Sequence, residues 1–319
     1  MKGSLGQLWV VSIPMKTPFR GITHREVLIF RGERYAEWSP FVEYQDAEAA
    51  TWLKGALSWA NEPLPKIHRD RVFTNATLPA VEPSQVAEVL RDFEPFRSVK
   101  VKVAQPGEYL DQDLKRIAKV AELYPTASIR LDANGGYSLA QALELATRLG
   151  GFNIEYLEQP VKSVSDLAEL KQDLRGTGLK ITADESIRKA TDPLEVSRLN
   201  AADIVMLKAQ PLGGIGAALE IASSINLDVV VSSALETSLG ISQGLYLAAA
   251  LPELKYDCGL GTLNLLAADI VKDSLKPIGS AIEVRVVEPD LDLLERYKAS
   301  PEREKWWLER LERCLELLD

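Results

Sequence analysis

The sequence predicts an α/β protein: a TIM-like (β/α) barrel with an α+β capping domain built from the N-terminal region and the C-terminal tail. Between about residues 90 and 280, short β-branched runs alternate with helical patterns, which is typical of parallel strands joined by helices. The number of these repeats favours a closed barrel. A flat doubly wound sheet would need a glycine fingerprint after its first strand, and that stretch contains one glycine, Gly107.

Residues 1–90 predict an α+β unit that forms most of the capping domain. Leu8–Ile13 and Val27–Phe30 have the composition of short strands. Asp46–Ala60 has apolar residues at helical spacing, and Asp46 stands where it could cap the helix.

Residues 91–280 predict the barrel catalytic domain. A final β-type run, Lys255–Cys258, precedes the glycine-rich Gly259–Gly261 and is expected to end the ring. Six earlier strand-and-helix pairs are Val99–Val103 with Asp111–Leu123, Ser128–Leu131 with Ser138–Leu149, Ile154–Leu157 with Val164–Leu174, Lys180–Ala183 with Pro193–Leu199, Ile204–Leu207 with Ile215–Ile225, and Val229–Ser232 with Ile241–Leu251.

The tail, residues 281–319, differs from the barrel region. It holds a β-type run at Ala281–Val287 and a charged amphipathic helical pattern at Pro301–Leu318. We expect it to pack on the N-terminal unit and complete the capping domain.

Composition excludes several classes of protein. The 319 residues include 37 Lys and Arg against 46 Asp and Glu, a net charge of −9, so we expect neither nucleic acid nor a membrane as partner. The longest uncharged stretch, Thr237–Pro252, is too short and too polar for a membrane span. Two cysteines, Cys258 and Cys314, make no disulfide framework, so a cytoplasmic location is predicted.

One polar residue ends nearly every predicted barrel strand, at intervals of about 24 to 30 residues. A solvated surface would not keep this phase with the strands. Catalytic groups of such barrels come from the C-terminal ends of the strands, so these side chains are expected to meet at one mouth. They are Lys100, Lys102, Asp132, Glu158, Asp184, Lys208 and Ser232.

Asp132, Glu158 and Asp184 come from three consecutive strands, and three close carboxylates repel one another. A hard divalent cation removes that repulsion, and oxygen ligands suit Mg²⁺ or Mn²⁺ better than zinc. The sequence therefore predicts a metal site of these three residues, with Asn134 and Glu185 as supporting partners.

Lysines flank the predicted metal site. Lys100 and Lys102 point to the same side of their strand, and Lys208 comes from the far side of the ring. Burial and neighbouring positive charge lower a lysine pKa and make a neutral amine available as a base. Both histidines, His24 and His68, lie in the predicted cap. A metal with opposed lysines suits removal of a proton α to a carboxylate, an arrangement known from enolase-superfamily sites.

Five motifs in order at barrel spacing resemble the muconate-lactonizing subgroup of the enolase superfamily. Phe19–Thr23 and Ser39–Tyr44 in the cap are similar to the shorter, actinobacterial-type members. Ser232–Gly240, Gly259–Thr262 and Leu265–Asp269 point to members that act on a succinyl group. The five barrel motifs are Lys100-Val-Lys102, Leu131-Asp-Ala-Asn134, Glu158-Gln-Pro160, Ala183-Asp-Glu-Ser186 and Lys208.

The resemblance implies a Mg²⁺-dependent syn-dehydration of 2-succinyl-6-hydroxy-2,4-cyclohexadiene-1-carboxylate to 2-succinylbenzoate, in menaquinone biosynthesis. It implies that Lys102 takes the α-proton and returns it to the departing hydroxide. Lys208 would stabilise the enediolate, and Lys100 would tune Lys102. The resemblance places Ser232, Ser233 and Gly259 at the succinyl end of the substrate, and structural strand-end hydroxyls are the alternative for the two serines. Arg20 lies in the loop expected to cover the mouth, as a partner for a substrate carboxylate or as a surface arginine.

Two other functions stay open at this stage. The same two lysines could racemise an N-succinylamino acid or epimerise a dipeptide. An epimerase would need an acidic partner after the last strands, and Asp257 is the only acid in the final β-type run, Lys255–Cys258. A non-catalytic barrel is disfavoured, because the carboxylates and lysines are all present. The substrate is expected to be a small carboxylate, and the sequence does not define the oligomeric state.

Overall fold

The N-terminal part of the protein is an antiparallel sheet backed by one helix. The computed structural model describes residues 5–19 and 21–318. Strands β1 (Leu8–Phe19), β2 (Ile22–Arg31) and β3 (Tyr35–Trp38) pair in that order, and helix α1 (Asp46–Asn61) packs against β3. Apolar residues of both faces of this contact are fully buried, which explains why the helix folds here.

The expected capping role of Asp46 is wrong. Gln45 holds the N-cap position without a side-chain hydrogen bond, and Asp46 lies in the first helical turn. Its carboxylate pairs with Arg313 and Arg310 of the C-terminal helix, so a long-range ion pair replaces the local cap.

Seven parallel strands form the curled sheet of the barrel, in strict chain order. A short strand, β4 (Arg71–Phe73), precedes them. The seven are β5 (Ala76–Leu78), β6 (Ser98–Lys102), β7 (Ser128–Asp132), β8 (Ile154–Glu158), β9 (Lys180–Ala183), β10 (Ile204–Leu207) and β11 (Asp228–Val231).

Helices follow these strands and cover the outside of the sheet, with two more in the tail. No helix within residues 5–19 and 21–318 is long and apolar enough to cross a membrane. The helices after α1 are α2 (Val86–Arg91), α3 (Leu110–Leu123), α4 (Leu139–Arg148), α5 (Val164–Asp173), α6 (Glu185–Arg188), α7 (Glu195–Arg198), α8 (Ile215–Ser224), α9 (Ser238–Ala250), α10 (Leu291–Arg296) and α11 (Pro301–Glu316).

The ring closes without the last strand that the sequence predicted at Lys255–Cys258. Two isolated parallel bridges join Ser232 to Gly259 and Thr74 to Cys258. The Gly259 amide donates to Val231 at 2.8 Å, and the Asn75 amide donates to the Cys258 carbonyl at 3.0 Å. One residue bonds to each side, so the segment links the two edges of the sheet but is too short to form a strand.

The predicted fold class, a TIM-like barrel with an α+β cap, is confirmed. Its two-unit division at residue 90 stays a prediction. Because β5 pairs in parallel with β6, sheet pairing favours a barrel boundary before residue 76.

The tail packs on the N-terminal sheet and on helix α1. Strand β12 (Ala281–Glu283) pairs with β4, and helix α11 lies against α1 and β1. In this helix, Arg303 and the Trp307 indole donate to Glu26 of β2. The Arg310 guanidinium is buried and donates to the main-chain oxygens of Phe41 and Tyr44.

Most apolar burial lies between the sheet and its helices, in one continuous core. A second, small cluster of Tyr156, Ile204, Met206 and Val230 fills the inside of the barrel. The barrel is therefore a packed solid with its opening at one end.

Helix α4 shows how local sequence fixes a helix start. The Ser138 hydroxyl accepts from the Gln141 amide at 3.3 Å, and the Gln141 side chain accepts from the Ser138 amide at 2.9 Å. This reciprocal pair satisfies two otherwise free amides of the first turn.

Candidate active site

The predicted polar residues lie together at the C-terminal rim of the parallel strands. Lys102, Asp132 and Glu158 are the last residues of β6, β7 and β8 and stand in register with one another. Asp184 and Lys208 directly follow β9 and β10. Because successive strands are parallel and in register, the recurring polar position becomes one ring of side chains.

Each carboxylate of this ring is bound to a lysine. Lys102 Nζ donates to Asp132 at 2.5 Å, and Lys208 Nζ donates to Asp184 at 2.6 Å. Lys100 Nζ lies 3.2 Å from both Asp132 and Glu158. The ring is therefore a network of buried ion pairs of alternating sign.

Burial and charge shift the carboxylate pKa values in opposite directions. Burial raises the pKa of Asp132 and Asp184, but their neighbouring cations outweigh it and lower both below the usual range: Lys102 and Lys100 for Asp132, Lys208 and Arg188 for Asp184. Glu158 is fully buried, and burial together with the charge of Asp132 raises its pKa to about 7. Of the three carboxyl groups, Glu158 therefore keeps its proton to the highest pH.

The pKa values of the two lysines of β6, Lys100 and Lys102, are also shifted in opposite directions. Burial opposes the charge of Lys100, but Glu158 and Asp132 outweigh it and raise its pKa. Burial and the adjacent Lys100 lower the pKa of Lys102, with Asp132 acting against the shift. Lys100 therefore stays an ammonium while Lys102 is the easier of the two to deprotonate.

Asn134 and Glu185 connect the ring to its surroundings. The Asn134 amide oxygen accepts from Lys102 at 2.6 Å, and its amide nitrogen donates to Glu185 at 3.2 Å. Arg188 donates to both Glu185 and Asp184, at 2.6 and 3.2 Å. The chain from Lys102 to Arg188 fixes the orientation of groups that the sequence assigned a supporting role.

A pocket opens onto this ring. Lys100, Lys102, Asp132 and Lys208 line its floor. Sequence analysis missed the aromatic and polar wall contributed by Phe19, Phe41, Tyr44, Trp52, Thr77, Arg188 and Thr262. The cap motifs at Phe19–Thr23 and Ser39–Tyr44 were the available signal for three of these aromatic residues.

The opposite wall holds three of the predicted substrate contacts, Ser232, Ser233 and Gly259. The Ser233 hydroxyl bonds to the Gly259 carbonyl at 2.6 Å and to the Thr262 hydroxyl at 2.8 Å. A Cβ at Gly259 would lie 2.4 Å from the Ser232 hydroxyl oxygen, so the close approach requires glycine. The fourth predicted contact, Arg20, lies outside the described residues.

Comparison with protein families agrees with the fold. The sequence matches the family described as enolase C-terminal domain-like over residues 84–289, and enolase N-terminal domain-like over residues 10–60. The first match alone covers more than half of the chain. Fold and site together define a barrel enzyme of the enolase superfamily.

Curated relatives narrow this class. A protein of Mycobacterium bovis (strain BCG / Pasteur 1173P2) named o-succinylbenzoate synthase is 47% identical over 320 residues, covering 100% of this chain and 96% of its own length. One of Mycobacterium ulcerans with the same name is 46% identical over 98% of this chain and 95% of its own. The chain belongs to the o-succinylbenzoate synthase family.

Solved structures share the fold. The muconate lactonizing enzyme of Pseudomonas fluorescens, complexed with muconolactone, has a TM-score of 0.80 at 21% identity, over 92% of this chain and 98% of that chain. The L-Ala-D/L-Glu epimerase of Bacillus subtilis has a TM-score of 0.76 at 21% identity, over 89% and 96%.

Enolase-superfamily members use divalent metal ions, so the carboxylates can be tested as ligands. Within residues 5–19 and 21–318, no three acidic, histidine or cysteine side chains are gathered closely enough to hold an ion. Each carboxylate turns instead to a lysine. The donor set fits a hard cation nonetheless, because three buried carboxylates share one rim and offer only oxygen ligands.

Proposed function

We propose that this chain catalyses the Mg²⁺-dependent dehydration of 2-succinyl-6-hydroxy-2,4-cyclohexadiene-1-carboxylate to 2-succinylbenzoate, a step of menaquinone biosynthesis. The observation that carries the proposal is the pocket floor, where Lys102 and Lys208 flank buried carboxylates in one site. The name shared by the mycobacterial relatives supports the choice of substrate.

Lys102 is the proposed base. Its lowered pKa makes the neutral amine accessible, and Asn134 and Asp132 hold its nitrogen at the rim. The amine takes the proton from the carbon α to the substrate carboxylate. The same ammonium then gives that proton to the hydroxyl leaving the neighbouring carbon, so one water departs and the ring becomes aromatic.

Lys208 and Lys100 are proposed to act through charge. Lys208 lines the pocket with its ammonium held by Asp184, where it can face the electron-rich ring left by proton loss. Lys100 bridges Asp132 and Glu158 and lowers the pKa of its neighbour Lys102. Fixed positive charge that is already in place needs no reorganisation during the reaction.

Asp132, Glu158 and Asp184 would hold the metal ion. Their oxygen-only donor set suits Mg²⁺, and Mn²⁺ is the alternative. When bound, the ion supplies positive charge beside the substrate carboxylate and so favours loss of the α-proton. Asn134 and Glu185 would orient this set through the hydrogen bonds already described.

The wall of Ser232, Ser233 and Gly259 is proposed to meet the succinyl end of the substrate, and Arg20 to meet a carboxylate at the mouth. The hydroxyls of Ser232 and Ser233 both lie at the pocket surface. Phe41 and Trp52, on the cap side of the pocket, offer an apolar surface to the six-membered ring of the substrate.

Racemisation of an N-succinylamino acid is the second candidate, because Lys102 and Lys208 both line the pocket and could exchange a proton with one carbon. A dipeptide epimerase is less well supported. Asp257, the acid it would need, is buried and accepts from Arg97 and Ser98. A cytoplasmic location is part of the proposal, since Cys258 and Cys314 are buried free thiols.

The deciding experiment follows the absorbance of the diene with purified protein, with and without Mg²⁺, beside polarimetry of N-succinyl amino acids. Metal-dependent loss of the diene is the expected result. Racemisation without dehydration would agree with the proposed roles of the two lysines but would contradict the proposed substrate. Lys102→Ala and Lys208→Ala are measured separately, and full activity in the Lys102 variant would contradict its role as base.

A further inference from the structure

Two buried charges of the capping sheet grip one loop of the barrel. The loop of residues 234–237, here the 234–237 loop, follows β11 and leads into helix α9. Two of its members, Ala234 and Leu235, line the pocket beside Ser233. The loop is therefore part of the pocket wall, and residues of the cap contact it.

Arg25 of β2 holds the carbonyl side of this loop. Its side chain is 2% exposed, and its guanidinium donates to the oxygens of Ala234 and Leu235, each at 3.2 Å. It also donates to the Ser39 oxygen and lies 4.4 Å from the ring centre of Phe41, which lines the pocket opposite. The Arg25 guanidinium thus contacts two parts of the pocket wall, the 234–237 loop and Phe41.

Glu37 of β3 holds the amide side of the loop. One carboxylate oxygen accepts from the Thr237 amide at 3.0 Å, its hydroxyl at 2.5 Å and the Gly240 amide at 3.2 Å. The other accepts from Ser39 at 2.6 Å. Glu37 therefore caps helix α9 from outside its own segment, with its negative charge at the positive end of the helix.

The loop needs an external restraint. Leu235 has φ +64°, a left-handed conformation that is unfavourable for a residue with a side chain. Its carbonyl is one of those bound by Arg25. Strained backbone persists only where surrounding contacts define it. Here they come from Glu236 within the loop, which accepts from the Ala234 amide, and from Arg25 of the cap.

We propose that Arg25 and Glu37 are positioning residues: they clamp the 234–237 loop from the cap and so set the shape of the succinyl-binding wall. The clamp rests on the proposed function for the identity of the ligand. Loosening it should weaken binding of the substrate and of the product more than it slows the chemical step, because the lysines of the pocket floor are untouched.

The test compares three variants of the full chain. Arg25→Lys keeps the charge but cannot donate to several carbonyls in one plane. Glu37→Gln keeps the shape but removes the charge. The matched control is Arg69→Lys, because Arg69 also donates to three main-chain oxygens, those of Ala248, Leu251 and Pro252, at the other end of helix α9.

The measurements are KM and kcat for the cyclohexadiene carboxylate, the Kd of 2-succinylbenzoate by calorimetry, and the melting temperature. Arg25→Lys should raise KM and Kd about tenfold with kcat changed less than about threefold, and Glu37→Gln should raise them about threefold. Arg69→Lys should leave both at the wild-type value.

Wild-type KM and Kd in folded Arg25→Lys and Glu37→Gln would overturn the clamp, whatever their melting temperatures. If Arg25→Lys does not fold, Glu37→Gln decides alone. A wild-type chain that neither binds the product nor dehydrates the substrate would overturn the proposed function and the clamp together. Activity in the wild type with unchanged variants would overturn only the clamp.

Discussion

Two layers of buried charge lie inside the barrel and behave differently. The upper layer, at the rim, pairs lysines with Asp132, Glu158 and Asp184 and faces the pocket. The lower layer is formed by Arg130, which is level with the backbone of Lys100 on the neighbouring strand and donates to Asn75, Glu155 and the Asp257 carbonyl at 2.6 to 2.9 Å. It does not reach the pocket surface within the described residues.

The difference follows from the two side chains. Arginine keeps its proton and offers several donors in a fixed plane, so the lower layer is held by directed hydrogen bonds. Lysine is a single mobile charge whose pKa responds to burial. The fold places the rigid cation where it supports the ring and the titratable cations where a proton must move.

Removing the base should have the largest effect. Lys102→Met is expected to lower kcat by about a thousandfold, within the range attributed to a positioned general base. The diene assay measures it, and calorimetry should show that 2-succinylbenzoate still binds. The exposed Lys115 of helix α3 provides the matched control, as Lys115→Met. If kcat of the Lys102 variant were within tenfold of the wild-type value, the upper layer would not supply the base of the reaction.

The lower layer should respond in stability. Arg130→Met leaves the partners of a fully buried cation without it, and breaking such a set costs about 3 to 5 kcal/mol of unfolding free energy. Urea denaturation measures the loss, and kcat of the folded variant should stay near the wild-type value. A large fall in kcat at unchanged stability would reverse the distinction between the layers.

Glu37, in the clamp, should make stability depend on pH. Burial and the nearby Glu236 raise its pKa to about 7, with Arg25 acting against the shift. The unfolded chain therefore releases this proton first as pH rises. Stability is full below the ordinary pKa of a glutamate and falls until pH 7, by about 3 kcal/mol at most.

Urea denaturation at pH 4.5 and at pH 7.5 tests this dependence. The fall in stability between the two should be smaller in Glu37→Gln than in wild type. Groups remote from Glu37, Glu158 among them, titrate alike in both proteins and cancel in the difference. The difference therefore reports Glu37 together with the neighbouring Glu236, whose charge acts on it. Equal falls would mean that Glu37 is ionised throughout the range.

The smallest effect is expected at Ser138, the exposed N-cap residue of helix α4. Ser138→Ala removes one acceptor from the first turn of helix α4 and should cost about 1 kcal/mol, with kcat and KM unchanged. Urea denaturation and the diene assay measure the two quantities. A change in KM would indicate that helix α4 communicates with the pocket.

The sequence was sufficient for the rim of the barrel. A polar residue in phase with each strand predicted that Lys102, Asp132, Glu158, Asp184 and Lys208 share one end of the sheet, and the structure places them there. Periodicity within a unit and the parallel order of units determine this placement. The chemical roles of these residues stay predictions.

Contacts between distant segments could not be read from periodicity. Phe41 and Trp52 reach the pocket because the cap docks on the barrel, and Arg25 meets Leu235 across 210 positions of chain. Asp46 exchanged a local cap for Arg313, and Cys258 forms a bridge where a strand was expected. In each case tertiary packing decided between local alternatives of similar energy.

The docking of helix α11 on the N-terminal sheet has a consequence for synthesis. Arg310 secures the backbone of Phe41 and Tyr44, both of which line the pocket. A ribosome makes that backbone about 270 residues before it makes Arg310. The lysines and carboxylates of the rim can thus take their places on the barrel while the chain is still growing, but the aromatic wall is secured only after helix α11 has left the exit tunnel. A nascent chain would therefore form the rim of its barrel before the aromatic wall of the pocket is in place.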